Sequence, residues 1–406
     1  MRTGPRTKRR LAAAPRRPRT KRLLTAIALA VLIAGCAGVS PAPKRTGAVD
    51  PRDWSAVVAQ AHGQTVRWWM YGGDTRVNRY VDEVVRPAAA RLGVVLQRVP
   101  VTDTADAVQR VVAEQRAGRR SGGSVDLIWI NGANFAQGAG AGLWLRNWAP
   151  LLPNARYVDW SDLTVARDFG VPVEGQESPW SRAQFVLAYD SRRLAWPPAS
   201  FQKLLGYAKA HPGRFTYPAP PDFTGSAFVR QAVQAMGEDA AFALLRELKP
   251  LQWRGGAAFP GSEAELDRLF GDGQVDLAMS YDPSFVLTGV QRGEFPRSTR
   301  PFVLDSGTLA NTSYVTIPAD AGHRAGALVV ANLLLSAELQ AAKADPRQLG
   351  VPTVLDLSRL RPEQRRLFAG QQSGPYLLAD FGREVEELPA GRVPALDARW
   401  KREVLR

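Results

Sequence analysis

The sequence predicts an α/β chain of two lobes, each a mixed sheet flanked by helices, joined by strands that cross between them. Three observations carry that expectation. From Thr65 to Ile130 strand-like and helix-like patterns alternate in βαβαβ order, which builds a parallel sheet covered by helices. A composition break at Trp196-Pro197-Pro198 is followed by a second run of the same alternation. A later strand, Ser313 to Ile317, and a long apolar helix then lead back to the first lobe. The chain has 406 residues, 45% of them hydrophobic and 22% charged, which is the globular class with room for more than one core.

The elements follow in order. Thr65 to Met70 is β-rich and ends at Gly72-Gly73. Thr75 to Arg91 places Val77, Tyr80, Val81, Val84, Val85 and Ala88 at helical spacing, with Pro87 as a break or a second start. Val94 to Val99 alternates as a second strand, and Asp103 or Thr104 caps a helix burying Ala107, Val108, Val111 and Val112. Val125 to Ile130 is the third strand, and Arg182 to Tyr189 a crossing strand. In the second lobe, helices are expected at Ser200 to Ala210, Thr224 to Val233, Ala240 to Lys249 and Glu263 to Phe270. Strands are expected there at Arg214 to Tyr217 and Gln274 to Met279. Ala321 to Asp345 reads as one long buried helix.

The N-terminus reads as an address. A basic stretch, Arg2 to Arg22, precedes an apolar run, Leu23 to Ala34, that is too short to span a bilayer comfortably. Leu32-Ile33-Ala34-Gly35-Cys36 resembles the lipobox of bacterial lipoproteins, which implies cleavage before Cys36 and its acylation. Cys36 is the only cysteine, and more than one acyl chain on it would suffice for stable anchoring. Residues 1–35 carry ten Lys or Arg and no acid, so the rest holds 43 basic against 38 acidic side chains. The net charge of +15 is mostly leader, which removes the support for a nucleic-acid role. The expected organisation is a signal peptide over 1–35, a lipidated tether over 36–60, the first part of lobe 1 over 61–190, lobe 2 over 191–310, and a return to lobe 1 with C-terminal helices over 311–406.

Several long stretches carry a family resemblance. They include Thr102 to Ala105, Gly123-Ser124-Val125-Asp126-Leu127-Ile128-Trp129-Ile130-Asn131-Gly132-Ala133-Asn134-Phe135, Ser178-Pro179-Trp180, Ala208 to Phe215, and Pro220-Pro221-Asp222-Phe223-Thr224-Gly225-Ser226. Across most of 60–400 the chain resembles the extracellular solute-binding proteins of ABC importers, and within them a YnjB-like subgroup. The resemblance implies a type II periplasmic-binding-protein-like fold and a small-molecule solute. It also implies permease and ATPase partners, an exported location facing the periplasm or the cell exterior, and a monomer that needs no cofactor.

In such two-lobed sheets a ligand sits outside the C-terminal ends of strands. That rule selects Tyr71, Gly73 and Asp74 after the first strand, Asn131 and Asn134 after the third, and Glu177 and Trp180 before the first crossing. From lobe 2 it selects Thr224, Ser226, Tyr281 and Asp282, and at the second crossing Thr312, Ser313 and Tyr314. Asp74, Asn134 and the 224–226 group serve equally as helix caps, and Trp180 equally as core. As a cleft wall, Trp180 and Tyr281 imply that truncation to Ala weakens binding with little loss of stability. Rings beside carboxylates suit a cationic or heterocyclic, thiamine-like solute. The alternative is a ferric ion or another metal held by oxygen donors such as Tyr71, Asp282 and Tyr314. His62, His211 and His323 are far apart in sequence, and no nucleophile elbow with an ordered triad is present, so capture is expected rather than catalysis. The hinge is expected near 187–195 and 309–314.

Overall fold

The computed structural model describes residues 49–369, 374–378 and 380–406; the leader, Cys36 and the start of the tether lie outside them. The expected tether ends early. Trp54–Ala61 is a helix whose Asp53 cap accepts from the Ala56 N–H, and it buries Val57 and Ala61 against lobe 1.

Lobe 1 is built on β1 (Thr65–Tyr71), β2 (Val95–Val101) and β3 (Leu127–Ile130), with β1 parallel to both neighbours. In β1 the buried positions alternate, Val66, Trp68 and Met70 facing the core. The 75–91 segment is helical throughout, but a π-turn at Val81–Val85 separates helix Thr75–Tyr80 from helix Arg86–Arg91, with Pro87 at the start of the latter.

A two-residue hairpin follows, β4 (Arg167–Asp168) with β5 (Val171–Pro172), turning through Phe169 at φ 46° and Gly170 at φ 78°. The expected strand 182–189 is two strands, β6 (Glu177–Gln184) and β7 (Val186–Asp190). They part at Phe185, whose ring is fully buried in the lobe 2 core. Its N–H donates to the Leu309 carbonyl at 2.8 Å, and its carbonyl accepts from the Thr308 hydroxyl. Both crossings are therefore tied at one point, 184–186 against 308–309.

Lobe 2 centres on β7, which lies between β8 (Leu277–Ser280) and β9 (Thr299–Phe302) and is antiparallel to both. Arg214 to Tyr217 forms no strand; it is extended coil, with Phe215 and Tyr217 buried among aromatic rings. The return strand is longer than expected. β10 (Thr308–Thr316) pairs antiparallel with β3 and β6, and parallel with β11 (Glu384–Glu386).

The long apolar helix is broken. Arg324–Leu334 and Ala337–Ala344 bend by 56° at Leu335-Ser336, where the Ser336 hydroxyl accepts from the Leu339 N–H and starts a new helix. The tail departs from the expected return to lobe 1. Leu388, Leu396, Trp400 and Val404 are buried in the lobe 2 core, and the Trp400 indole donates to the Tyr217 hydroxyl at 2.8 Å.

Candidate functional site

The lobes meet across the C-terminal ends of β1 and β3. Tyr71 is 45% exposed and its ring lies over Gly73, where an added Cβ would sit 2.1 Å from the Tyr71 oxygen. A side chain at position 73 would displace the Tyr71 ring from this place. Asp74 caps helix Thr75–Tyr80, accepting from the Arg76 and Val77 N–H groups at 2.8 and 3.2 Å. The helix in turn aims Arg76 across the gap. Its guanidinium donates to the hydroxyls of Ser284 and Thr288 in lobe 2, and to the carbonyls of Gln348 and Leu349. No ion pair of Arg76 occurs among the described residues. Burial pulls its pKa below the usual guanidinium value, against the opposing pull of Asp282 and Asp74. Asp282 faces this region, accepting from the N–H and hydroxyl of Ser284 at 2.8 Å each. Burial raises its pKa.

A second meeting point lies at helix Phe223–Met236. Asp222 caps it by accepting from the Gly225 N–H at 2.9 Å. Thr224 turns its hydroxyl to Glu263, whose carboxyl is pushed up to about 7 by burial. One turn further, Arg230 is 1% exposed. Its Nε and Nη2 donate to the two carboxylate oxygens of Glu387 at 2.8 and 2.9 Å, and its Nη1 donates to the Ser226 hydroxyl at 2.9 Å. The Tyr281 hydroxyl donates to Glu387 Oε1 at 2.7 Å. The Arg230 guanidinium lies 5.5 Å from the Phe223 ring and 5.9 Å from that of Phe169, the latter from lobe 1. Between Phe169, Arg167, Asn311 and Glu387 the lobes leave a cavity of about 10 Å³, the room of a single water.

Other expected wall residues face inward. Asn131 and Asn134 stand half-buried at the start of helix Gly132–Gly140. There the first N–H, from Gly132 at φ 60°, donates to Asp168 Oδ2 at 2.7 Å, not to Asn131. Glu177 is fully buried, and neither carboxylate oxygen has a partner among the described residues. Tyr314 turns its hydroxyl to the carbonyls of Thr164, Val165 and Arg167, Thr312 bonds the Thr164 carbonyl, and Ser313 is buried in β10. Trp180 is 1% exposed, edge-on to Trp68 and Trp129 at 5.5 and 5.1 Å, and is a core residue. The structure thus groups Tyr71, Gly73, Asp74 and Asp282 around Arg76, and Ser226 and Tyr281 around Arg230. It keeps Glu177, Trp180, Thr312 and Tyr314 inside lobe 1. Arg76, Arg230, Phe169 and Glu387 were missed. The signal for Arg230 was an arginine within the apolar run Phe228 to Val233; Glu387 had none, since its partner is 157 positions away.

Comparison with known proteins shows the family and the fold. Residues 83–363 match the family model of bacterial extracellular solute-binding proteins. Protein YnjB of Escherichia coli (strain K12) is 41% identical over 368 residues, covering 86% of this chain and 93% of that protein. Among solved structures, a Bordetella ferric binding protein is similar at a TM-score of 0.59 with 17% identity, over 84% of this chain and 98% of its own. A Trichodesmium protein solved with iron and citrate ligands is similar at a TM-score of 0.60 with 12% identity, over 84% of this chain and 100% of its own. These likenesses share the two-lobed α/β fold. The chain belongs to the bacterial extracellular solute-binding proteins, as a YnjB-like, non-catalytic solute-binding component of an ABC importer.

Proposed function

We propose that the cargo is a metal ion carried in an anionic chelate, such as iron held by a carboxylate chelator, and not a cationic heterocycle. The observation that carries this reading is the pair of arginines at the lobe contacts: Arg76 of lobe 1 donates to Ser284 of lobe 2, and Arg230 of lobe 2 lies 5.9 Å from the Phe169 ring of lobe 1. Guanidinium groups recognise carboxylates by paired N–H bonds and repel cations. A bare ferric ion would need several protein donors, and among the described residues no group of three His, Cys, Asp or Glu could hold one. The donor set Tyr71, Asp282 and Tyr314 does not converge, because Tyr314 bonds carbonyls within lobe 1 while Asp282 faces Arg76. A chelate brings its own donors and leaves negative charge for the arginines. The iron named for the Bordetella protein, and the iron with citrate named for the Trichodesmium protein, support this choice.

Opening at the 184–186 and 308–309 tie would admit the solute, and closure would present both lobes to permease and ATPase subunits. Titration of the chain, followed by tryptophan fluorescence, is expected to show saturable binding of ferric citrate in the micromolar range or tighter. Thiamine is expected to give no response. Tight thiamine binding without ferric citrate binding would refute the reading, and equally tight binding of uncomplexed ferric salt would refute the chelate.

Export with a lipid on Cys36 belongs to the same reading, supported by the lipobox-like Leu32 to Cys36. The Cys36→Ser chain is expected in the soluble fraction with unchanged ferric citrate affinity. A Cys36→Ser chain that stays in the membrane pellet would exclude the anchor.

A further inference from the structure

We propose that the Arg230 cradle is a carboxylate subsite of the cleft, and that Glu387, on the C-terminal strap of this same chain, occupies it as a stand-in for the solute's carboxylate. The inference rests on the reading of an anionic cargo and names the group that would be recognised.

The cradle is complete on the Arg230 side. Two guanidinium N–H groups meet the two Glu387 oxygens at 2.8 and 2.9 Å, the third points to Ser226, and Tyr281 adds a hydroxyl donor at 2.7 Å. This is the fork geometry by which arginine binds carboxylates in general. The Ser226 hydroxyl donates to Asp397 Oδ1 at 2.6 Å, which leaves its lone pairs to accept from Arg230 and fixes the cradle.

What sets Glu387 apart from an ordinary buried ion pair is where it comes from and what it touches. Its neighbour Leu388 is buried in the lobe 2 core, yet the segment around it also reaches lobe 1. The strap reaches it from β11, which adds to the crossing strand β10 by three paired positions, and leaves it toward helix Val393–Trp400 on lobe 2. Just past Glu387, Pro389 lies against Gly170 of the lobe 1 hairpin, and the Ala390 N–H donates to the Phe169 carbonyl at 3.2 Å. The carboxylate and Leu388 thus sit on lobe 2 while the next two residues, Pro389 and Ala390, meet lobe 1. A pair serving only the lobe 2 core would require neither Phe169 nor Gly170. A buried pair of this kind is also a poor source of net stability, since desolvation offsets the attraction. Tethering gives Glu387 a high effective concentration at the cradle, so a solute carboxylate has to compete with it.

The test uses metal-free carboxylates on the full chain carrying Cys36→Ser. In Glu387→Ala the cradle is emptied. That variant is expected to melt several degrees below its parent, and sodium acetate is expected to recover much of the loss where sodium chloride at equal ionic strength does not. Citrate is expected to bind Glu387→Ala at least tenfold more tightly than the parent. Equal citrate affinity in the two, or equal response to acetate and chloride, would overturn the proposal. Should Glu387→Ala fail to fold, hydrogen exchange on the parent decides. Citrate at saturation is expected to speed exchange across 384–392, as the strap is displaced; unchanged or slower exchange there would overturn it. Because acetate and citrate carry no metal here, absence of ferric citrate binding refutes the cargo alone, and absence of the acetate and citrate effects refutes the subsite alone.

Discussion

Trp180→Ala is expected to lower the stability of the chain by about 3–5 kcal/mol, read from the denaturant midpoint at constant slope. Of the two roles the sequence allows this ring, the cleft wall implies little loss and the core implies a large one. The structure gives it the second. Trp180 is 1% exposed, and the rings of Trp68 and Trp129 meet it edge-on at 5.5 and 5.1 Å. Such pairs add to the burial of area itself. Its carbonyl is also shared, accepting from Gln340 at 2.8 Å and from Lys343 at 2.7 Å, so two buried side chains of helix Ala337–Ala344 are positioned by this one residue. Burial pulls the Lys343 pKa well below its usual value, Arg182 adding to the effect. The side chain would leave a cavity beneath that helix, which only partial relaxation can fill. A Trp180→Ala chain with an unchanged midpoint and lost ferric citrate binding would return the ring to the cleft. Tyr281 is a different case. Its ring packs near Phe185 and Phe223 but its hydroxyl is committed to Glu387, so it serves the lobe 2 core and the cradle together.

The parts of this molecule that were legible in sequence are those fixed by local pattern. The alternation Val66, Trp68, Met70 in β1 shows a half-buried strand without reference to anything distant. The Gly72-Gly73-Asp74 turn and the Asp103 cap were legible because they are local chemistry at strand and helix ends, whereas the helix expected to start at Thr224 is capped two residues earlier by Asp222. That is also why Tyr71, Gly73 and Asp74 could be placed at the end of a strand from sequence. What was hidden depends on partners far along the chain. Leu396, Trp400 and Val404 stand at helical spacing, which indicates an apolar face but not that the face covers lobe 2. Phe185 looks like one residue of a continuous strand until Thr308 and Leu309 are seen to fix it. Arg76 reads as an exposed helical arginine, and its reach to Ser284 spans 208 positions. Charge within strands was a clue to burial, passed over at Asp168 and read at Glu177 as a cleft-wall acid. Asp168 and Glu177 are acids in the segment that forms β4 and β6, and an acid at a fully buried strand position needs an explanation.

Those two acids lead to the second large effect, a pH dependence that substitution should abolish. Burial pushes the Asp168 carboxyl up to about 7; the Gly132 N–H pulls the other way, and the charge of Glu387 adds to the rise. Burial pushes Glu177 well above its usual value, with the charge of Asp168 adding to it. Unfolded carboxyls titrate near pH 4. Between pH 4 and 7 the unfolded chain therefore gives up protons that the folded chain retains, and stability falls as pH rises through that window. The contribution is fully present below pH 4 and lost above the folded value. A rise of roughly three units at about 1.4 kcal/mol each makes the Asp168 share on the order of 4 kcal/mol. Asp168→Asn keeps an oxygen for the Gly132 N–H and cannot ionise. It is expected to match the wild type near pH 4 and to exceed it by a few kcal/mol at pH 8, with urea midpoints taken across that range. Glu177→Gln is expected to move in the same direction, because it too removes a buried carboxyl whose ionisation burial opposes. Reading the variant against the wild type at each pH cancels the titration of the other carboxylates. A difference that stays flat from pH 4 to 8, or an Asp168→Asn chain less stable at pH 8, would show that the folded chain already holds Asp168 ionised. The hairpin then carries a negative charge beside the Glu387 strap at every pH in that range, and a solute carboxylate entering the cradle would meet that charge as well.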